Sequence, residues 1–207
     1  MSKTLKTLKD PFKTRRWQGG AVTDPRQVFA ELFLCAELFY YRCFIKKLLH
    51  CAGSAKRYKG ALPGDVWLYG HMIHSTLTAA YALSTVKQSP IVVEEANLLN
   101  KKFYCSGYKG TNLWTDLPRC LSKKEYYNPY LAFGAFFKHR SLQQWLRDWS
   151  RIVTAALSAK PTCLAPDALA LYFYLVKLIE AAHLIDVRET THIEGTLKGS
   201  GKGGGAS

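Results

Sequence analysis

Arginines recur at helical spacing in the second half of the chain. One helix face is formed by Arg140, Gln144, Arg147 and Arg151. Because residues three or four apart are neighbours on a helix, these side chains form one stripe. The opposite face is apolar and includes Trp145 and Trp149, which we expect to pack inward. Arginine binds phosphate oxygens in a bidentate manner. With Lys138 just upstream, the stripe predicts either a phosphate-contacting surface or an ordinary solvated face.

Two other groups of cations are interleaved with tyrosines. They comprise Lys56, Arg57 and Lys59 around Tyr58, and Lys101 and Lys102 before Tyr104. Single-stranded nucleic acid is bound by such mixtures, through charge and through stacking of bases on aromatic rings. Ordinary protein surfaces and protein interfaces have the same composition, so both interpretations stay open.

Two histidines, His71 and His74, are three residues apart in a predicted helix, and this spacing can place two imidazoles on one metal. The sequence supplies no further ligands in a recognisable pattern, so we interpret the pair as structural. It also has no phosphate-binding glycine loop, nucleophile elbow or dinucleotide motif. We therefore expect no metal, no cofactor and no catalytic residue that can be named.

One enzyme class remains an alternative. The last four predicted helices resemble in architecture the HEPN nucleases, small helical bundles that cut RNA with an arginine and a histidine at a set spacing. Arg188 and His192 have only three residues between them, fewer than that motif has, whereas Arg42 and His50 have seven, which is more. The resemblance implies a metal-independent ribonuclease or toxin-type enzyme, but fold alone does not establish an activity.

The last predicted helix carries polar residues at three-residue steps within an apolar sequence. These residues are Lys177, Glu180, His183 and Asp186. Their spacing predicts a ladder of local ion pairs along the helix. The alternative is a small binding or catalytic constellation, because charged groups beside a buried surface have altered proton affinities.

Caps, prolines and apolar periodicity divide the chain into helices with little strand alternation. The predicted long helices cover about residues 25–52, 66–86, 91–105, 142–159 and 166–186, with a short helix at 129–137 and a helical turn near 118–125. The expected fold is all-α, a single-domain antiparallel helical bundle or irregular α-array. Three segments are expected: a basic, solvated arm at 1–23, the helical domain at 24–190, and a disordered glycine-rich tail at 191–207.

The 207 residues include 48% hydrophobic residues, which excludes disorder as the state of the whole chain. The six cysteines lack the paired spacing of redox or zinc motifs, and we interpret them as buried small hydrophobic residues of an intracellular protein. Apolar runs are too short or too polar for a secretion signal or a transmembrane segment. The expected location is the cytoplasm.

The excess of cations gives a formal net charge of +14 and is distributed over residues 1–26, 27–60, 100–125 and 126–160. Such a charge favours polyanionic partners. We expect a non-enzymatic binding protein that contacts nucleic acid, RNA or DNA, or another acidic partner such as an acidic protein, as an accessory factor. Alternatives are the HEPN-like ribonuclease and a protein-interaction scaffold whose charge serves solubility. The oligomeric state stays open.

Overall fold

The computed structural model describes residues 9–54, 56–106, 113–158, 168–190, 192–193 and 196–197. Within these ranges the α-helices are α1 (Pro25–Cys35), α2 (Leu38–Ala52), α3 (Pro63–Ser84), α4 (Leu113–Asp116), α5 (Lys123–Tyr127), α6 (Tyr130–His139), α7 (Leu142–Ser158) and α8 (Ala168–Glu189). Short 3₁₀ helices lie at Thr14–Arg16, Glu95–Asn97 and Lys101–Phe103, and strands β1 (His192–Ile193) and β2 (Thr196–Leu197) pair antiparallel. The predicted all-α single-domain array is confirmed.

One large core joins the long helices. α8 packs against α1, α2 and α6, while α7 packs against α2 and α3, and α1 also packs against α3. The largest fully buried side chains of this core are those of Trp145, Tyr41, Phe29, Phe44, Phe133 and Phe136. A smaller cluster, centred on Tyr104 and Leu184, lies under the segment that precedes α4. The helices therefore surround a shared apolar interior.

Helix ends follow their sequence signals at several places. Asp24 accepts a hydrogen bond from the Arg26 amide at the start of α1, and Asn128 accepts one from Tyr130 at the start of α6. α3 begins three residues earlier than predicted, where Asp65 accepts from the Leu62 amide. Side-chain caps satisfy main-chain amides that a helix start leaves without partners.

The first predicted helix is two helices, so the prediction of one helix over residues 25–52 was wrong. Ala36 is extended, with φ −162° and ψ 156°, and Glu37 is extended as well. The Tyr41 hydroxyl donates to the Leu32 carbonyl across the break at 2.7 Å. The sequence of this segment has apolar residues on most sides because α1 and α2 bury different faces. α1 packs against α3 and α8, whereas α2 packs against α7 and α8.

The predicted helix at 91–105 was also wrong, since this segment holds only two 3₁₀ turns. Side chains from other elements bond main-chain carbonyls of this segment. Tyr126 donates to the Leu98 carbonyl, Arg188 donates to the Phe103 carbonyl, and His183 Nε2 lies 2.9 Å from the Tyr104 carbonyl. Tertiary bonds therefore fix this segment, and the bond to Leu98 takes a carbonyl that the predicted helix would have used.

The N-terminal segment differs from the expected solvated arm over its described part. Phe12 is 5% exposed, and Thr14 and Val22 are buried. Asp10 accepts hydrogen bonds from the amides of Thr14 and Arg15, which shapes the 3₁₀ helix at Thr14–Arg16. Residues 9–23 are thus part of the domain. Residues 1–8, and most of the tail predicted to be disordered, lie outside the described ranges.

The cysteines only partly match the prediction that they are buried hydrophobic residues. Cys51 is buried, whereas Cys35 and Cys43 are exposed and Cys105 and Cys120 are intermediate. Cys35 is the last residue of α1, and Cys43 lies on a solvent face of α2. Cys163 lies outside the described ranges.

Within the described structure, Lys177, Glu180, His183 and Asp186 form no ion pair with one another, so the predicted ladder of local ion pairs was wrong. Glu180 pairs with Arg42 of α2, and Lys177 pairs with Glu125 of α5. At the end of the helix, Glu189 accepts bonds from Arg26 of α1 and from the Tyr130 hydroxyl of α6.

α8 is also the one described helix long and apolar enough to cross a membrane. Most of it is buried inside the fold, and core helices of soluble proteins can have the same length and composition. This observation is weak evidence for a membrane span, and the helix does not form a clear transmembrane segment.

Candidate nucleic-acid interface

The capping box and two tryptophans fix the rotation of α7. Ser141 accepts a hydrogen bond from the Gln144 amide, and the Gln144 side chain accepts from the Ser141 amide. Trp145 is 1% exposed and stacks on Phe136 at 4.0 Å. Trp149 is 2% exposed and donates its indole N–H to a carbonyl of α3. The inward tryptophans are confirmed, and the opposite face of α7 is directed to solvent.

Arg147 and Arg151 are both exposed on this outer face, as the stripe predicted. The other two members of the stripe are used within the fold. Arg140 pairs with Asp148 at 2.5 Å and lies over the Trp145 ring, and Gln144 forms the capping box. The exposed cations of the stripe are Arg147 and Arg151, in the middle of α7. Lys138 is exposed at the end of α6, before α7 begins.

Gly70 brings α3 close to α7. A side chain at this position would place its Cβ 3.2 Å from one Val153 methyl and 3.3 Å from the other. The Gly70 carbonyl accepts the Trp149 indole N–H at 2.8 Å. A glycine inside a helix often indicates such a close approach, so the sequence does carry a signal for this contact, although we did not predict it.

A cavity of about 160 Å³ opens between α3, α7 and the N-terminal 3₁₀ helix. Its lining includes Arg16, Trp67, His71, His74, Ser150 and Thr154, and we call it the Arg16 cavity. Trp17, next in the chain to Arg16, donates its indole N–H to the Ser75 hydroxyl of α3 at 2.9 Å. This bond anchors the 3₁₀ helix on α3 and holds Arg16 at the cavity.

The imidazoles of the Arg16 cavity are held in their neutral form. Burial lowers the pKa of His74 to about 4, helped by the positive charges of Lys13 and Arg16. Burial and Arg16 also lower the pKa of His71. In the described ranges no carboxylate lines the cavity or pairs with Arg16. The cavity therefore has a positive potential and uncharged hydrogen-bonding rings.

The first basic group lies at the end of α7. The Tyr58 amide donates to the Ala156 carbonyl at 2.9 Å, which ties the link between α2 and α3 to the last turn of α7. Lys56, Arg57 and Lys59 are exposed there. Lys47 of α2 donates to the Lys59 carbonyl and lies over the Tyr58 ring, so it holds the link against α2.

The second basic group is elsewhere. Lys101 and Lys102 are exposed on a 3₁₀ helix that packs against α8. Since α7 packs against α2 and α3, this pair is not brought to the outer face of α7. Of the cations predicted from sequence, Arg147 and Arg151 are exposed on the outer face of α7, and Lys56, Arg57 and Lys59 are exposed in the link that bonds to its last turn. Arg16, which the sequence pattern did not indicate, lies at the cavity beside α7.

Arg188, the arginine considered for RNA cleavage, is half-buried. Its guanidinium donates to the carbonyls of Phe103 and Tyr126 and lies 4.7 Å from the Tyr126 ring centre. These contacts hold the 3₁₀ helix at Lys101–Phe103 and α5 against α8, which accounts for an arginine at this position. The side chain of His192 lies outside the described residues.

Across the described part of the chain, no group of three or more histidine, cysteine, aspartate or glutamate side chains is arranged to hold a metal. Comparison with known proteins found no matching family model, no matching curated protein and no matching solved structure. We therefore infer the function from the geometry and electrostatics of this chain.

Proposed function

We propose that this protein is a non-enzymatic, intracellular nucleic-acid-binding protein, an accessory factor that contacts the phosphate backbone through the outer side of α7 and α3. The contacting set is Arg16, Arg147, Arg151, Lys56, Arg57 and Lys59. Affinity for nucleic acid comes largely from such cations, because each phosphate they neutralise releases condensed counterions.

The observation that carries the proposal is the position of the Arg16 cavity beside the two exposed arginines of α7. Ser150 and Thr154 line the cavity, and on a helix they lie next to Arg147 and Arg151. The cations of three separate chain segments thereby adjoin one helix. A charge surplus that served only solubility would not require this grouping.

The test is a matched pair of double variants. Arg147→Gln/Arg151→Gln removes two charges from α7, and Lys101→Gln/Lys102→Gln removes two charges from the 3₁₀ helix on α8. We expect the wild-type protein to bind single-stranded RNA with an affinity that falls steeply with salt. The α7 variant should bind more weakly, with a salt slope reduced by roughly two, one for each phosphate that is no longer neutralised. The control, Lys101→Gln/Lys102→Gln, should keep most of the affinity and most of the salt slope.

Circular dichroism of both variants checks that the fold is intact. Equal effects of the two variants would mean that binding follows net charge and not the α7 side. No binding by the wild-type protein at low salt would contradict the proposal and favour the scaffold alternative. Metal-independent cleavage of the RNA that disappears in His192→Ala would favour the ribonuclease alternative.

A further inference from the structure

The Arg16 cavity is lined by hydrogen-bond donors. Arg16 supplies a guanidinium, His71 and His74 supply imidazoles, and Ser150 and Thr154 carry hydroxyls. A neutral imidazole donates from one nitrogen, a hydroxyl donates one proton, and a guanidinium donates several in a planar fork. In the described lining no acidic side chain competes for these donors. Such a set is suited to an anion with several oxygen acceptors.

The state of His74 supports this assignment independently of the lining. Its Nδ1 is buried and has no hydrogen-bond partner within the described structure. Nearly all buried polar atoms of native proteins have a partner, and a bound ion can supply one where the protein does not. Lys13 and Arg16, the charged side chains that contribute most to lowering the pKa of this ring, are both positive, so an anion is the ion that suits this site.

The size of the cavity limits what enters it. Its volume of about 160 Å³ is smaller than the roughly 300 Å³ at which sites for complete small ligands begin. The cavity thus accepts one group of a larger molecule. A terminal phosphate is compact and carries about −1.5 to −2 charges at neutral pH, more than an internal phosphodiester, which also has a chain on both sides.

An aromatic ring stands beside the cavity. Trp67 lines it with 51% of its surface exposed, and its ring meets His71 edge to face at 4.9 Å. An exposed indole is a platform on which a nucleic-acid base stacks. The cavity and the indole together match the first nucleotide of a strand, with the phosphate inside and the base on Trp67.

We infer that the Arg16 cavity is a subsite for the terminal phosphate of a single-stranded nucleic acid. This inference rests on the proposed function and adds the end of the strand as the recognised feature. Binding would then depend on two separable parts of the surface: the arginines of α7, which follow the backbone, and the cavity, which holds the end.

The experiment compares two RNA oligonucleotides of one sequence, one with a 5′-phosphate and one with a 5′-hydroxyl, each labelled at the 3′ end and titrated by fluorescence anisotropy. We expect the phosphorylated strand to bind the full-length protein about tenfold more tightly, which corresponds to one hydrogen bond to a charged group. Arg16→Gln should abolish this preference. Arg15→Gln, with the same loss of charge one residue away and outside the cavity lining, should retain it.

Inorganic phosphate serves as a second probe, followed by tryptophan fluorescence, because Trp67 and Trp149 both line the cavity. Phosphate should change the emission of the wild-type protein and of Arg15→Gln, and not of Arg16→Gln. A response to inorganic phosphate together with equal affinity for both strands would overturn the strand-end assignment and leave an inorganic-phosphate site.

The two proposals fail in different ways. Salt-dependent binding of both strands with equal affinity, and no response to phosphate, overturns the cavity assignment while the proposed function stands. A response to inorganic phosphate without binding of either strand overturns the proposed function, and with it the strand-end assignment. A preference for the 5′-phosphate that survives in Arg16→Gln would place the recognition of the end elsewhere.

Discussion

Arg42 of α2 and Glu180 of α8 form an ion pair inside the protein, with 2.6 Å between Nη2 and Oε1. Glu180 is fully buried and also accepts hydrogen bonds from the amides of residues 119 and 120. Arg42 donates in turn to the carbonyls of residues 115 and 117. The pair thus satisfies both partners and holds the segment between α4 and α5 against the core.

Glu180→Gln should lower the free energy of unfolding by about 3–5 kcal/mol, because it leaves the Arg42 charge buried without a counter-ion. Urea unfolding measures this change. Glu95→Gln is the matched control, since Glu95 pairs with Lys123 on the surface, where an ion pair contributes little. Losses of similar size in the two variants would contradict a special role for the buried pair.

Asp186 should make stability depend on pH. Burial raises its pKa from 3.8 to about 7, although the Thr190 hydroxyl donates to it at 2.8 Å. Between about pH 4 and 7 the folded protein therefore keeps a proton that the unfolded chain releases, so the free energy of unfolding falls progressively over this interval and levels off above about pH 7. Asp186→Asn keeps the acceptor without the charge.

The expected gain in the free energy of unfolding of Asp186→Asn over the wild-type protein is a few kcal/mol at pH 8 and about 2–3 kcal/mol smaller at pH 5, since one pH unit corresponds to about 1.4 kcal/mol. Urea unfolding at the two pH values measures it. The same difference between the two proteins at both values would show that the carboxyl does not titrate in this interval.

His74 should titrate with a midpoint near pH 4 in the folded protein, as followed by NMR of its ring protons. Arg16→Gln removes one of the positive charges that lower this pKa, so the midpoint should rise. Arg15→Gln should change it less, because Arg15 is not among the charges that act on the ring. A midpoint near 6.5 in the wild-type protein would mean that the ring is solvated.

Gly70→Val should destabilise the protein by about 1–3 kcal/mol, because the added side chain meets the Val153 methyl groups across the contact of α3 with α7. Val153→Ala in the same chain should recover part of this loss. Thermal or urea unfolding of the two single variants and the double variant measures the coupling. Additive losses would show that crowding against Val153 is not the cause.

Local signals were sufficient for α7 and for the orientation of its arginines. Ser141 and Gln144 cap the helix through side chains three residues apart, and the tryptophans alternate with the arginines at helical spacing. Each of these features depends on neighbours within a few positions. The prediction therefore needed no knowledge of the other helices.

The break after α1 and the Arg16 cavity depend on contacts that local helix signals do not indicate. The Leu32 carbonyl at the end of α1 is capped by the Tyr41 hydroxyl, and neither glycine nor proline occurs at the break to indicate it. The spacing of His71 and His74 identified them as a pair, but the cation that lies beside them in the cavity is Arg16, from another segment of the chain. Sequence patterning alone does not show which segments a chain brings together over such separations.

The bond from Arg26 to Glu189 joins residues 163 positions apart in the chain, and α8 packs against α1 and α2 across a similar interval. A ribosome synthesises about 5–20 residues per second, so α1 and α2 are synthesised several seconds or longer before α8, the helix that covers them. During this time their apolar faces are open to chaperones and to other chains. Completion of the core is consequently a late event in the biosynthesis of this protein.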